Sequence, residues 1–201
     1  MIPSYWEEAK KALSERDSVL SALIGQYPGI GLVRRADPFS TLARSIVGQQ
    51  ISVKAADSAW ERLISAAGNV SPESILSCPE LGNCGLSGRK VEYLMDLAIH
   101  FSERRLDGLE GMEDEAVISA LTKIRGVGRW TAEMFLIFQA LRPDILPLDD
   151  LGLQRAIRLH YNGGNTLDRR QMLALAEPWK PWRSVATWYL WRSLDPVPVE
   201  Y

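Results

Sequence analysis

Along nearly the whole chain apolar residues recur every three or four positions, which is the helical period, and no stretch alternates strictly as a strand would. The first such segment runs from Ser4 to about Gln26, with Trp6, Ala9, Leu13, Leu20, Leu23 and Ile24 on its apolar side. Asp37-Pro38 predicts the next start, since proline suits the first helical turn, and Phe39, Leu42, Ile46 and Val47 follow at helical spacing. Gly48-Gln49-Gln50 interrupts that pattern, and Ser52 predicts a cap for a helix through Ala66 that stops near Gly68. Ser71-Pro72 and Cys78-Pro79 open short helical turns, and Leu86-Ser87-Gly88 opens a helix reaching about Ser102. Glu113 to Leu121, Trp130 to Leu141 and Leu151 to Tyr161 read as helices. Thr166 reads as the cap of Leu167 to Ala176, and Pro181 begins Trp182 to Leu194. The tail DPVPVEY reads as extended. The expectation is an all-α fold of about ten helices. One lobe takes residues 1–35 with 146–201, because chain ends often meet, and the other takes residues 36–145.

Composition narrows the setting. The chain has 201 residues and 46% hydrophobic content, enough for one sizeable domain or two small lobes. No apolar run approaches the ~20 residues that span a bilayer, and the charged, amphipathic start MIPSYWEEAKKALSERD is not a signal peptide. Cys78 and Cys84 are too few for a disulfide framework or a four-cysteine metal site, which points to a reducing cytosol. The net charge of −2 is low for a nucleic-acid binder. An enzyme that grips an anion with backbone amides and one local basic strip needs no more. Four of the seven tryptophans, Trp179, Trp182, Trp188 and Trp191, fall near the C-terminus. Core filling accounts for most of them, and clustering favours at least one in a pocket.

Two short elements carry the candidate chemistry. Ile124-Arg125-Gly126-Val127-Gly128 lies between two helical patterns, and glycines at 126 and 128 permit close approach and positive φ. The following helix opens with N–H groups that the fold itself leaves unpaired, an anion site reinforced by the helix dipole. Lys123, Arg125 and Arg129 add charge that a phosphate would use. An ordinary helical corner with exposed basic residues would look similar, but the longer pattern L-x-x-I-x-G-V-G-x-x-T-A is far more specific. About twenty residues on, Asp150 closes a Leu-Pro-Leu-Asp-Asp turn at the mouth of the next helix. Aspartate is a preferred N-cap, and capping is compatible with a catalytic role; Asp149 is the rival for that role. His100 and His160 sit at helix ends and read as surface or dipole partners. The acidic run from Asp107 to Glu115 reads as a solvated loop.

Residues 36–194 resemble the helix-hairpin-helix DNA glycosylases, and most closely their 3-methyladenine DNA glycosylase II (AlkA-type) branch. The segments that carry the likeness are SIVGQQISVKAA (45–56), CGLSGRKVEYLMDLA (84–98), KIRGVGRWTAEMFLIF (123–138), LPLDDLGLQRAI (146–157) and WKPWRSVATWYLWR (179–192). The resemblance implies two helical lobes with a cleft between them, in a compact form without the amino-terminal β domain of longer relatives. It places Asp150, rather than Asp149, on the catalytic aspartate. It makes the hairpin a phosphate clamp, with the carbonyls of Thr122, Ile124 and Val127 as ligands for a monovalent cation, Na+ or K+. Gln50, or the more apolar Ile51, takes the position that fills the gap left by an extruded nucleotide. Trp130 and Trp191 take positions that stack on the base, and Met134 a neighbouring wall. Bifunctional relatives have a lysine where this chain has Trp130, so no Schiff-base nucleophile is present and strand-cleaving chemistry is not expected. The two cysteines likewise exclude the iron–sulfur cluster of endonuclease III-like relatives.

The expected function is thus a monofunctional glycosylase of base excision repair. It would act on double-stranded DNA containing alkylated purines of the 3-methyladenine and 7-methylguanine type, with no required cofactor. Extrusion costs a few kcal/mol, tryptophan faces attract an electron-poor or cationic purine, and Asp150 would stabilise the oxocarbenium-like sugar. The alternatives are a non-catalytic helix-hairpin-helix DNA-binding module and a glycosylase for other damaged bases. The resemblance further implies a monomer, placed in the cytoplasm at a bacterial nucleoid or in a eukaryotic nucleus.

Overall fold

The computed structural model describes residues 2–34 and 37–194. They are all-helical, with eleven α-helices and three short 3-10 turns among the described residues. The helices are α1 (Trp6–Arg16), α2 (Ser18–Gln26), α3 (Pro38–Gly48), α4 (Val53–Ala67), α5 (Pro72–Leu76), α6 (Gly88–Ser102), α7 (Asp114–Leu121), α8 (Arg129–Phe138), α9 (Leu151–Tyr161), α10 (Arg169–Ala176) and α11 (Arg183–Leu194). The tail DPVPVEY, expected to be extended, lies outside the described residues. No described helix is long and apolar enough to cross a membrane.

The described residues divide into two compact units: 2–34 with 136–194, and 37–135. The division falls between Phe135 and Leu136, inside α8.

The first unit is organised by α11. Ser184, Val185, Ala186, Thr187, Trp188, Tyr189, Leu190 and Arg192 are all buried, so this helix is enclosed on every side. It packs on α9, α2 and α1. Trp6 meets Trp188 edge-on at 5.3 Å, and Trp188 meets Tyr189 edge-on at 4.9 Å. Arg183 holds Asp144 through Nε and Nη2 at 2.7 and 2.8 Å, and the Ser184 hydroxyl donates to the Arg142 carbonyl while accepting from the Ile145 N–H.

The expected single segment from Ser4 to Gln26 is two helices. Asp17 separates them in extended conformation (φ −143°, ψ 113°), its Oδ1 accepting the N–H groups of Val19 and Leu20. Its Oδ2 accepts the Tyr161 hydroxyl at 2.8 Å and the Trp179 indole N–H at 2.9 Å. Four donors on one carboxylate outweigh continuation of the apolar pattern, and aspartate competes well for backbone N–H groups. Burial, with the Asp17 carboxylate beside it, pushes the Tyr161 phenol up. A second correction concerns α10. Asp168, not Thr166, caps it, in a reciprocal box with Gln171 in which each side chain accepts the other's N–H at 2.8 Å.

In the second unit α3 buries Phe39, Leu42, Ala43, Ile46 and Val47 against α4 and α6, and α5 packs on α6. Asp37, Ser52, Ser71 and Ser87 are the N-caps at these predicted starts, each accepting the N–H three positions on; the sequence reading names Ser52 as a cap and the other three only as parts of helix starts. His100 departs from expectation. It is buried, its Nδ1 2.9 Å from the Asp96 carbonyl, because its helix face turns inward along with Leu97.

Candidate active site and nucleic-acid interface

Asp150 is the N-cap of α9. Its Oδ1 accepts the Leu153 N–H at 2.6 Å and the Trp191 indole N–H at 2.8 Å. Trp191 in turn lies parallel to Phe138, ring centroids 5.7 Å apart at 11°. The carboxylate is therefore oriented by backbone from its own helix and by a side chain from α11, in an aromatic corner. Gly152 keeps this corner open, since a Cβ there would lie 3.1 Å from Asp150 Oδ1 and 3.2 Å from Trp191 Cδ1. Capping and orientation are thus one interaction: the hydrogen bond that starts the helix also aims the carboxylate. Asp149, the rival, forms an exposed ion pair with Arg169 at 2.8 Å.

The hairpin after α7 forms as the sequence predicts, with the Val127 N–H donating to the Ile124 carbonyl at 3.1 Å. Of its two glycines only Gly126 has positive φ, +81°. A Cβ there would lie 2.2 Å from the Tyr93 ring, so the hairpin needs glycine for backbone conformation and space alike. Gly128 serves differently. Its carbonyl accepts the first bond of α8, from the Ala132 N–H, and it brings no capping side chain to that helix end. The Arg125 N–H is already engaged by Asp96 Oδ2 at 2.8 Å, so the hairpin is not the row of bare amides that its sequence suggests.

The basic residues also differ from one another. Lys123 and Arg125 are exposed, Arg125 with Glu92 at 3.9 Å. Arg129 is bound by Glu115 through both terminal nitrogens and by Glu133 through Nε at 2.9 Å. The Glu115 hydrogen bonds, with the added charge of Glu133, raise the Arg129 pKa, and Arg129 holds the Glu115 carboxyl below its usual range. Arg129 therefore joins α7 to α8, and phosphate would have to compete with two carboxylates for it.

The loop between α3 and α4 presents Gln50 and Ile51. Gln50 is exposed with φ +59°, a conformation rare for a residue with a side chain, and Ile51 is 42% exposed. Gln49 turns the other way, its Nε2 donating to the Gly126 carbonyl at 2.8 Å. Trp130 and Met134 lie one turn apart on α8, Trp130 half-buried and Met134 6% exposed. Thr122 is the C-cap of α7, where carbonyls have no intrahelical donor, while the Ile124 carbonyl already accepts one N–H.

Several residues of these sites carry no local sequence signal. Phe138, Gly152, Gln49, Lys90, Tyr93 and Asp96 matter only through partners distant in sequence. Only the helical spacing of 90, 93 and 96 hints that three of them share a side.

The chain is similar to several known proteins. The Bacillus subtilis protein YfjP is 34% identical over 88% of this chain, which spans 66% of that relative's length. The crystal structure of a DNA-3-methyladenine glycosidase from Bacillus halodurans superposes with a TM-score of 0.85 at 35% identity, covering 93% of this chain and 89% of that one. A Schizosaccharomyces pombe 3-methyladenine DNA glycosylase in complex with abasic DNA superposes with a TM-score of 0.79 at 29% identity, covering 96% of this chain and 100% of that one. Residues 43–181 match the model of the HhH-GPD superfamily of base excision DNA repair proteins, and the chain belongs to that superfamily.

Proposed function

We propose that this protein is a monofunctional DNA glycosylase of base excision repair that removes alkylated purines, of the 3-methyladenine and 7-methylguanine type, from double-stranded DNA. The observation that carries the reading is the Asp150 carboxylate, held by the Leu153 amide and the Trp191 indole at the mouth of α9. In the reaction the C1′–N bond breaks and its electron pair leaves with the base, whose alkylation has already made it a good leaving group. Asp150 stabilises the oxocarbenium-like sugar, as carboxylates do in glycoside hydrolysis. Water adds at C1′ and gives up its proton, leaving an abasic site. Trp191 both aims the carboxylate and offers an aromatic surface, and Trp130 and Met134 keep the base-holding roles that the family likeness gives them. A cationic or electron-poor purine is favoured on tryptophan by roughly 0.5–2 kcal/mol per contact.

Lys123 and Arg125, with the amides of Gly126 and Gly128, take the strand's phosphates; Val127, expected to join them, has its N–H committed to the Ile124 carbonyl. The carbonyls of Thr122, Ile124 and Val127 are the assigned ligands of a monovalent cation. Neutral oxygens at the negative end of α7 suit such an ion, which would supply positive charge toward phosphate. Gln50, strained at its loop tip, is the residue that fills the gap, with Ile51 beside it. Trp130 stands where a lysine would be needed for a Schiff base, so borohydride should trap no covalent complex.

The test is release of free 3-methyladenine from methylated duplex, with Asp150→Asn binding DNA normally but releasing little base. DNA binding with no release from any lesion panel would leave the non-catalytic module instead. Release confined to oxidised or mismatched bases would move the substrate class.

A further inference from the structure

Helix α6 touches both DNA-directed elements of its unit along one side, through three residues at successive i+3 positions. Lys90 donates from Nζ to the Val47 carbonyl at 2.7 Å, satisfying the end of α3 where the Gln49–Ile51 loop begins. Tyr93 lies against Gly126, so closely that no Cβ would fit between them. Asp96 accepts the Arg125 N–H at 2.8 Å. Between the loop and the hairpin themselves stands one direct bond, Gln49 Nε2 to the Gly126 carbonyl at 2.8 Å. The residue after Gln49 is the strained Gln50. A backbone in the left-handed region persists only where its surroundings hold it, and Gln49 and Lys90 are the side chains that hold its near side.

We propose that Gln49 and Lys90 are positioning residues that lock the gap-filling loop to the phosphate hairpin, so that gripping the strand and extruding the base become one coupled event. This rests on the function proposed above. Neither residue touches the reacting atoms. Gln49 fixes where Gln50 stands relative to the clamp, and Lys90 anchors the helix end from which the loop departs. A loop free to drift would still bind DNA but would give up part of its push on the base pair.

The test uses the full chain with Gln49→Met and Lys90→Met, each close in length but unable to donate to the carbonyl. Extrusion is read with duplexes carrying 2-aminopurine beside the lesion, and excision by single-turnover release from a paired lesion and from the same lesion in an unpaired bulge, where extrusion costs little. Loss of one hydrogen bond, about 1 kcal/mol, predicts a fivefold to tenfold drop in excision from paired substrate and a matching drop in 2-aminopurine signal. The bulged substrate should change less than twofold. Combining Gln49→Met with Gln50→Ala should be little worse than Gln50→Ala alone, since both act on the same push. Equal losses on paired and bulged substrates would mark a merely structural role and overturn the proposal, as would no loss on either. The Lys90 variant carries the test by itself should Gln49→Met fail to fold. If wild-type protein releases no base, the 2-aminopurine signal still decides the coupling, and the glycosylase reading fails separately.

Discussion

Helix α9 begins at a carboxylate and helix α8 begins at a glycine. Both ends face the same problem, a first turn of N–H groups and a positive dipole end. At α9 the chain answers it internally: Asp150 Oδ1 takes the Leu153 N–H and the Trp191 indole N–H, and the carboxylate ends up aimed. At α8 Gly128 brings no side chain, and on the proposed reading the answer comes from outside, as a phosphate. The difference shows how one physical device serves two purposes. Filled from within, a helix start orients a reacting group; left to a ligand, it grips one.

Exchanging the parts of this comparison gives graded effects. Asp150→Asn should have the largest. Asparagine caps helices about as well as aspartate, so stability should move by less than about 0.5 kcal/mol. Single-turnover base release should fall at least about 100-fold, the scale seen when one preorganised electrostatic partner is lost. A large drop in melting temperature alongside the lost activity would show that the cap, not the charge, was removed.

Gly126→Ala probes the hairpin that leads into the other helix start. With φ at +81° and Tyr93 in the way, it should cost roughly 1–3 kcal/mol of stability, measured by urea unfolding. It should also weaken binding to abasic duplex. Trp191→Phe is milder: an aromatic ring still faces Phe138, but the indole donor to Asp150 is gone, and a lost bond of about 1 kcal/mol predicts a fivefold to tenfold slower release. Unchanged release would mean that the Leu153 amide suffices to aim the carboxylate.

The basic residues sharpen the gripping side. Lys123→Ala and Arg125→Ala should each lower the slope of log affinity against log salt by about one. Arg129→Ala should leave that slope nearly unchanged and instead cost roughly 1–3 kcal/mol of stability, because Glu133 is buried and loses a charged donor. A full unit of slope lost at Arg129 would return it to the phosphate contacts.

The smallest effect is alkaline. Burial pushes the Tyr5 phenol up to about 12 from its usual 10, and its hydroxyl donates to the Leu141 carbonyl. The unfolded chain loses this proton first, so the stabilisation is complete below pH 10 and declines as pH rises toward 12. Tyr5→Phe should flatten that part of a stability–pH profile.

Much of the fold could be read without coordinates. Four helix starts, one of them with its cap Ser52, are legible because a Ser or Asp before a helical pattern acts on the N–H three positions away. The misreadings at Asp17 and Thr166 share one cause. Asp17 interrupts a good apolar pattern because Tyr161 and Trp179, 144 and 162 positions away, converge on it. Thr166 offers an adequate local cap, but Asp168 and Gln171 pair more completely. In both cases local preference lost to a partner that local reading could not weigh.

The glycine hairpin, the aspartate at a helix mouth and the helical class are properties of short stretches of chain, where backbone sterics and near-neighbour hydrogen bonds dominate, and they stand in the residues themselves. That Arg129 is spent on Glu115, that Trp191 donates to Asp150, and that Gln49 reaches Gly126 depend on packing between elements 14 to 77 positions apart. Such pairings follow from how helices bury their apolar faces against one another, a condition imposed on the chain as a whole and written in no single segment of it.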